Sequence, residues 1–270
     1  MMSTRRAVVL GAAGVTAAVG AAAMGVAGGV AANPIATGTS GIEESGPAPA
    51  PFALGRRIIV SILLYDGMTA LDAVGPYELL NYVPDVTTQF VSEDGRPVRM
   101  DSGLLSLPAT HSFGTAETAD VLLVPGGPSA NDTGSRPAVR DWVARSSARA
   151  TWTVSVCTGA LILARAGLLA GRAATTHWIA MTVLGELGAH PRPEQRIVRS
   201  ENVVTAAGVS AGLDCTLWLI ARLRDRAAAE TAQLSIEYDP RPPFSSGHYS
   251  TATPEIRRSA RGLLAKALRR

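Results

Sequence analysis

The chain has 270 residues and a formal charge of +3, with 47% hydrophobic and only 5% aromatic residues. Arg5, Arg6 and the basic cluster within residues 255–270 supply the positive surplus, which leaves a mildly acidic body and argues against nucleic-acid binding. Two cysteines exclude a disulfide scaffold, and the scattered His111, His177, His190 and His248 form no metal-binding motif. The sole lysine, Lys266, argues against Schiff-base chemistry, and the phosphate-binding Gly-Lys-Ser/Thr loop is absent. No cofactor and no metal are expected.

Residues 1–32 carry Ser3-Thr4-Arg5-Arg6 ahead of an uncharged Ala/Gly/Val stretch. Twin arginines before a weakly apolar segment resemble a Tat-type signal, with Val30-Ala31-Ala32 as a small-residue cleavage site. The expected location is therefore periplasmic or extracellular, an uncleaved N-terminal membrane anchor being the alternative. Residues 33–55, rich in Pro, Gly, Ser and Ala, are expected to be a flexible linker. Residues 56–250 form the catalytic domain and residues 251–270 a basic amphipathic tail, with Ile256, Leu263, Leu264 and Leu268 as its apolar members. Such a tail packs on its own domain or frays, with weak contact to an anionic membrane as the alternative.

Within the body, residues 57–65 predict a first strand, Asp66-Gly67 a turn and residues 70–82 a helix. Residues 87–92 predict a second strand, and residues 98–113 a short hairpin broken at Gly103. Val121-Leu122-Leu123-Val124 is a buried strand ending in Pro125-Gly126-Gly127, and a helix follows over 136–148. Residues 173–176 predict a short strand, 179–187 a helix, 197–206 a hairpin-like pair and 211–223 a long apolar helix. Strands alternating with helices imply an α/β fold, a mostly parallel sheet covered on both faces with its active site at the carboxyl ends of the strands.

One corner carries the chemistry. The run Thr151 to Val156 reads as a buried strand, Cys157 follows, and Thr158-Gly159 opens an apolar helix ended by Gly167. A thiol at such an elbow points out of the sheet and sits at a helix N-terminus, where unpaired N–H groups and the helix dipole favour a thiolate. A second strand-to-helix turn, Gly208-Val209-Ser210-Ala211-Gly212, matches the Gly-x-Ser-x-Gly elbow of serine hydrolases. The chain beyond it lacks strands to carry Asp239 and His248 as triad partners, so its small residues are expected to serve close packing.

In order along the chain, Asp72 to Leu80 (DAVGPYELL), Pro125-Gly126-Gly127, Val154 to Gly159 (VSVCTG), Ala174 to Trp178 (ATTHW), Val209 to Asp214 (VSAGLD) and Glu237 to Phe244 (EYDPRPPF) resemble the ThiJ/PfpI superfamily. This is a class I glutamine amidotransferase-like group with a flavodoxin-like sandwich, and the last two motifs resemble its isonitrile hydratase branch. The resemblance covers residues 57–245. It implies Cys157 as nucleophile, Asp72 as proton-exchange partner, Thr158 as a hydroxyl and N–H donor, and Gly127 with Gly126 as N–H donors to developing negative charge. It places His177 near the thiol, as a base or a supporting hydrogen-bonding group. The implied activity is hydration of an isocyanide to an N-substituted formamide by a lyase that needs no cofactor. The alternatives are glyoxalase or deglycase chemistry at the same cysteine, or a ligand-binding or redox-sensing module. A small-molecule substrate is expected, and a homodimer by analogy. A Cys157–Cys215 disulfide is a minor possibility, since Cys215 reads as a core residue.

Overall fold

A computed structural model describes residues 41–267; the export-signal reading of residues 1–32 lies outside them. The chain runs through β1 (Ile42–Ser45), β2 (Ile58–Leu63), α1 (Ala70–Leu80), β3 (Val86–Ser92), β4 (Val98–Arg99), β5 (Ser106–Leu107) and β6 (His111–Ser112). Next come β7 (Val121–Val124), α2 (Ala130–Ser135), α3 (Pro137–Ser147), β8 (Trp152–Val156), α4 (Gly159–Arg165) and β9 (Ala173–Ala174). A 3-10 turn at Trp178–Ala180 leads into α5 (Met181–Glu186), β10 (His190–Pro191), β11 (Ile197–Ser200) and β12 (Val203–Ala206). Helices α6 (Ala211–Leu223), α7 (Arg226–Ser235) and α8 (Pro254–Ala267) follow.

Eight strands form one sheet in the order β1-β11-β12-β8-β7-β2-β3-β6. Every neighbouring pair is parallel except β11 and β12, the predicted hairpin-like pair. The central strands β2, β7 and β8 are almost wholly buried, as continuous β-branched and leucine runs require when helices cover both faces. In α3 the residues Val139, Trp142, Val143 and Ser147 turn inward, and Trp142 stacks on Phe113 with ring centroids 4.5 Å apart. From β2 the chain moves to β3 on one side and returns to β7 on the other. The crevice at the carboxyl ends of β2 and β7 is thus the topological switch point, where open α/β sheets bind ligands.

The flexible-linker reading of residues 33–55 is corrected in its second half. Ile42–Ser45 pairs in parallel with β11, Ile42 opposite Ile197 and Ser45 opposite Ser200. Electrostatics hold it there. The Glu44 carboxylate accepts from Trp218 Nε1 at 2.9 Å, Arg222 at 2.9 Å and Arg199 at 3.2 Å, and Glu43 accepts from Arg192 at 2.9 Å. Partial burial raises the Glu44 pKa, but the Trp218 hydrogen bond and the Arg222 and Arg199 charges outweigh it and hold the group below its ordinary value. Arg199 is itself a buried cation, satisfied by Glu44 and by the carbonyls of Ser45, Gly46 and Glu201.

Candidate active site

The site is assembled at the carboxyl ends of β2, β7 and β8. Cys157 directly follows β8, and its φ of 57° places a non-glycine residue in the left-handed region. Two bonds hold this turn: the Cys157 N–H donates to Ala206 O at 3.1 Å, and Thr176 Oγ1 donates to Cys157 O at 2.8 Å. The neighbouring loop must come very close. A Cβ on Gly126 would lie 2.4 Å from Thr158 N, and one on Gly159 would lie 2.1 Å from Val124 O. Glycine at these positions lets the β7 loop and the start of α4 touch backbone to backbone.

Asp72 enters from the first turn of α1 and is fully buried. Its Oδ2 accepts from the Gly126 N–H at 2.9 Å, while Oδ1 receives no N–H or O–H donor. The Cys157 thiol and this carboxyl group are neighbours that shift each other's pKa. Burial pushes the Asp72 pKa up to about 7, against the pull of the Gly126 N–H and the thiol. The Cys157 thiol is pushed well above its ordinary range, first by burial and then by the Asp72 charge, while the Thr158 N–H and hydroxyl oppose the shift. Burial and the Asp72 charge thus work against the thiolate expected at the N-terminus of α4.

The two glycines expected to offer N–H groups to developing charge are already engaged. Gly126 donates to Asp72, and Gly127 donates to Thr158 Oγ1 at 2.8 Å while the Thr158 hydroxyl donates to Gly127 O at 2.9 Å. These bonds lock the Pro125-Gly126-Gly127 loop onto the elbow and engage the Thr158 hydroxyl, and the remaining donor beside the sulfur is the Thr158 N–H. His177 lines the same cavity as Cys157 and Thr158. Its Nδ1 accepts from the Ile179 N–H at 3.4 Å, and burial lowers its pKa, so it is neutral at pH 7 with the proton on Nε2. The group coupled to the thiol is Asp72.

The cavity holds about 330 Å³. Cys157, Thr158 and Gly127 line it together with the polar Thr69, Asp101 and Asn131 and a majority of apolar surface. Tyr65 and Asp101 were not singled out in the sequence. The Tyr65 hydroxyl donates to Pro125 O at 2.9 Å and so braces the glycine loop, and Asp101 accepts from Thr69 Oγ1 at 2.8 Å. The position of Tyr65 just past β2 was the available signal. The Gly208–Gly212 turn does serve packing: a Cβ on Gly212 would lie 2.9 Å from Val156 Cγ1. Ser210 accepts from Arg196 at 3.3 Å, while Asp239 pairs with Arg241 and His248 with Ser250. Cys215 is a free core thiol raised to about 12 by burial and by Asp214, and Cys157 is likewise unbridged.

Comparison with known proteins agrees with this architecture. The model of the DJ-1/PfpI family matches residues 57–222. The chain belongs to the DJ-1/PfpI family. It is 38% identical over 210 residues to the isonitrile hydratase of Pseudomonas putida, covering 78% of this chain and 91% of that protein. A solved THiJ/PfpI family protein from Pseudomonas syringae superposes with a TM-score of 0.74 at 40% identity, over 79% of this chain and 88% of the other. The HTH-type transcriptional regulator CdhR of Pseudomonas aeruginosa is 31% identical over 135 residues, which span 49% of this chain and 39% of the regulator. The DJ-1/PfpI family thus contains enzymes and regulators on one sheet, and the site must decide between them. Among the described residues no cluster of His, Cys, Asp and Glu could hold a metal, and no helix is long and apolar enough to cross a membrane.

Proposed function

We propose that this protein is an isonitrile hydratase-like lyase, converting R–N≡C and water into the formamide R–NH–CHO at Cys157. The observation that carries the reading is the buried Asp72–Cys157 pair, whose thiol lines a largely apolar cavity. The similarity to the Pseudomonas putida isonitrile hydratase supports it.

The chemistry follows from the pair. The Asp72 carboxylate takes the thiol proton as Sγ attacks the terminal isocyanide carbon, and the S–C bond forms. Asp72 then gives that proton to the same carbon, leaving the thioimidate R–N=CH–S–Cys157. Water attacks the thioimidate carbon with Asp72 as base, and the nitrogen takes up the proton. The tetrahedral carbon next expels sulfur, and its hydroxyl proton returns to the thiol as the formamide departs. The Thr158 N–H stabilises negative charge on sulfur during attack and departure. No redox partner enters this balance.

Incubating the purified protein with cyclohexyl isocyanide and following the formamide tests the reading. Formamide from the wild type and none from Cys157→Ala is the expected result. A wild type that makes no formamide while Cys157 alkylates rapidly would reject the substrate, and methylglyoxal and other α-oxoaldehydes then become the substrates to assay.

A further inference from the structure

The apolar end of the cavity is completed by a segment outside the family match. Leu264 of α8 lines it together with Leu161, Ile179, Ala180, Val183 and Val209. Helix α8 lies beyond the 57–222 segment shared with the family. Along it Arg257, Ala260 and Leu264 are half-buried, whereas Ile256 and Leu263 are 48% and 68% exposed. The inward stripe therefore follows a helical spacing of three and four residues, and among the described residues of α8 it is Leu264 that lines the cavity.

An aromatic-cation ladder fixes the helix in place. Arg261 lies over the Trp178 ring at 5.4 Å, Trp178 stacks on Tyr249 at 5.3 Å, and Arg257 lies over Tyr249 at 4.3 Å. Arg257 also donates to Ala252 O at 2.9 Å and Ser250 O at 3.1 Å. Trp178 is the residue after His177, so the helix docks on the segment that carries a polar wall of the site.

We propose that α8 closes an apolar subsite for the substituent on the isocyanide nitrogen, with Leu264 setting its size. The identity of that substrate rests on the hydratase reading; the wall itself does not. An isocyanide is linear through carbon and nitrogen, so its substituent is held at a distance from the carbon that Sγ attacks. The only surfaces it needs there are apolar ones. The cavity volume of about 330 Å³ lies at the small end of ligand sites, roughly 300–1,000 Å³. The substrate class is therefore compact aliphatic or monocyclic isocyanides, and one large side chain on α8 shifts the limit.

The test uses the full-length protein and two readouts. Leu264→Trp is expected to lower the ratio of kcat/KM for benzyl over methyl isocyanide by about tenfold, and Leu264→Ala to raise it. The rate of Cys157 alkylation by N-benzyliodoacetamide relative to iodoacetamide is expected to move the same way, with Cys157→Ala as background. If Leu264→Trp does not fold, Leu264→Ala carries the test with the opposite sign. An alkylation ratio unmoved in a folded variant overturns the wall. A moved ratio in a protein that hydrates no isocyanide upholds the wall and overturns the hydratase reading.

Discussion

The carboxyl of Asp72, from the first turn of helix α1, and the thiol of Cys157, at the end of strand β8, come together in the core, where each shifts the other's pKa. Neither group is charged comfortably there. Burial favours the neutral form of each, and ionising either one disfavours ionising the other. The nucleophile is made reactive by its neighbour rather than by a standing negative charge, and this shapes what its variants should do.

Asp72→Asn removes the proton acceptor and is expected to lower kcat by roughly 10²–10⁴-fold. The same change should stabilise the protein in neutral and alkaline solution. The folded carboxyl is raised from 3.8 to about 7, so between those values the native state holds a proton that the unfolded state has released. Wild-type stability therefore falls as pH rises through that window and is level above it. Urea midpoints should be higher for Asp72→Asn at about pH 8, with the gap closing in acid. An equal gap at both ends would contradict the assignment.

The pH profile of turnover has a sign of its own. The carboxylate form must accept the thiol proton, so kcat/KM should drop as pH falls through a midpoint near 7. Steady-state rates across that range check it, and a profile flat through neutrality would remove Asp72 from the role of base.

Gly126→Ala tests the backbone contact under the elbow. Its Cβ would lie 2.4 Å from Thr158 N, so the loop must retreat and break the bonds between Gly127 and Thr158. A stability loss of about 1–3 kcal/mol is expected, with slower alkylation of Cys157. Denaturant midpoints and iodoacetamide labelling rates measure both.

Glu44→Gln should weaken the attachment of β1, because Arg199 would keep its burial and lose its counter-charge. A loss of about 2 kcal/mol is expected from the broken charged hydrogen bonds. Urea unfolding of the variant, compared with Glu43→Gln on the same strand, shows whether Glu44 carries the larger share.

The parts of this fold that announced themselves were those whose side chains repeat locally. The apolar runs of β2, β7 and β8 and the helix at Ala211–Leu223 are visible because burial on both faces demands them. Helix α2, Ala-Asn-Asp-Thr-Gly-Ser, has no such pattern; its Gly134 is there to lie against Ile162 of α4, a distant contact. Strand β1 was hidden for a related reason, since Glu43 and Glu44 look like solvated linker until the arginines that receive them are placed. The site divides the same way. Cys157 and Gly126 stand in recognisable local turns, while Asp101 and Leu264 join the cavity, and Tyr65 braces the glycine loop, only through tertiary packing. The resting protonation of the thiol was likewise hidden, because it depends on the depth of burial and not on the helix start alone.

Strand β1 also orders events during synthesis. Glu44 meets Arg199 at a sequence separation of 155, so the segment emerges well before the strand it pairs with. Closing so long a loop is entropically costly and slow, which places the docking of β1 among the last steps of folding. Until then the edge of β11 stands open to any other extended chain, and the glutamates that β1 finally lays along it end that exposure.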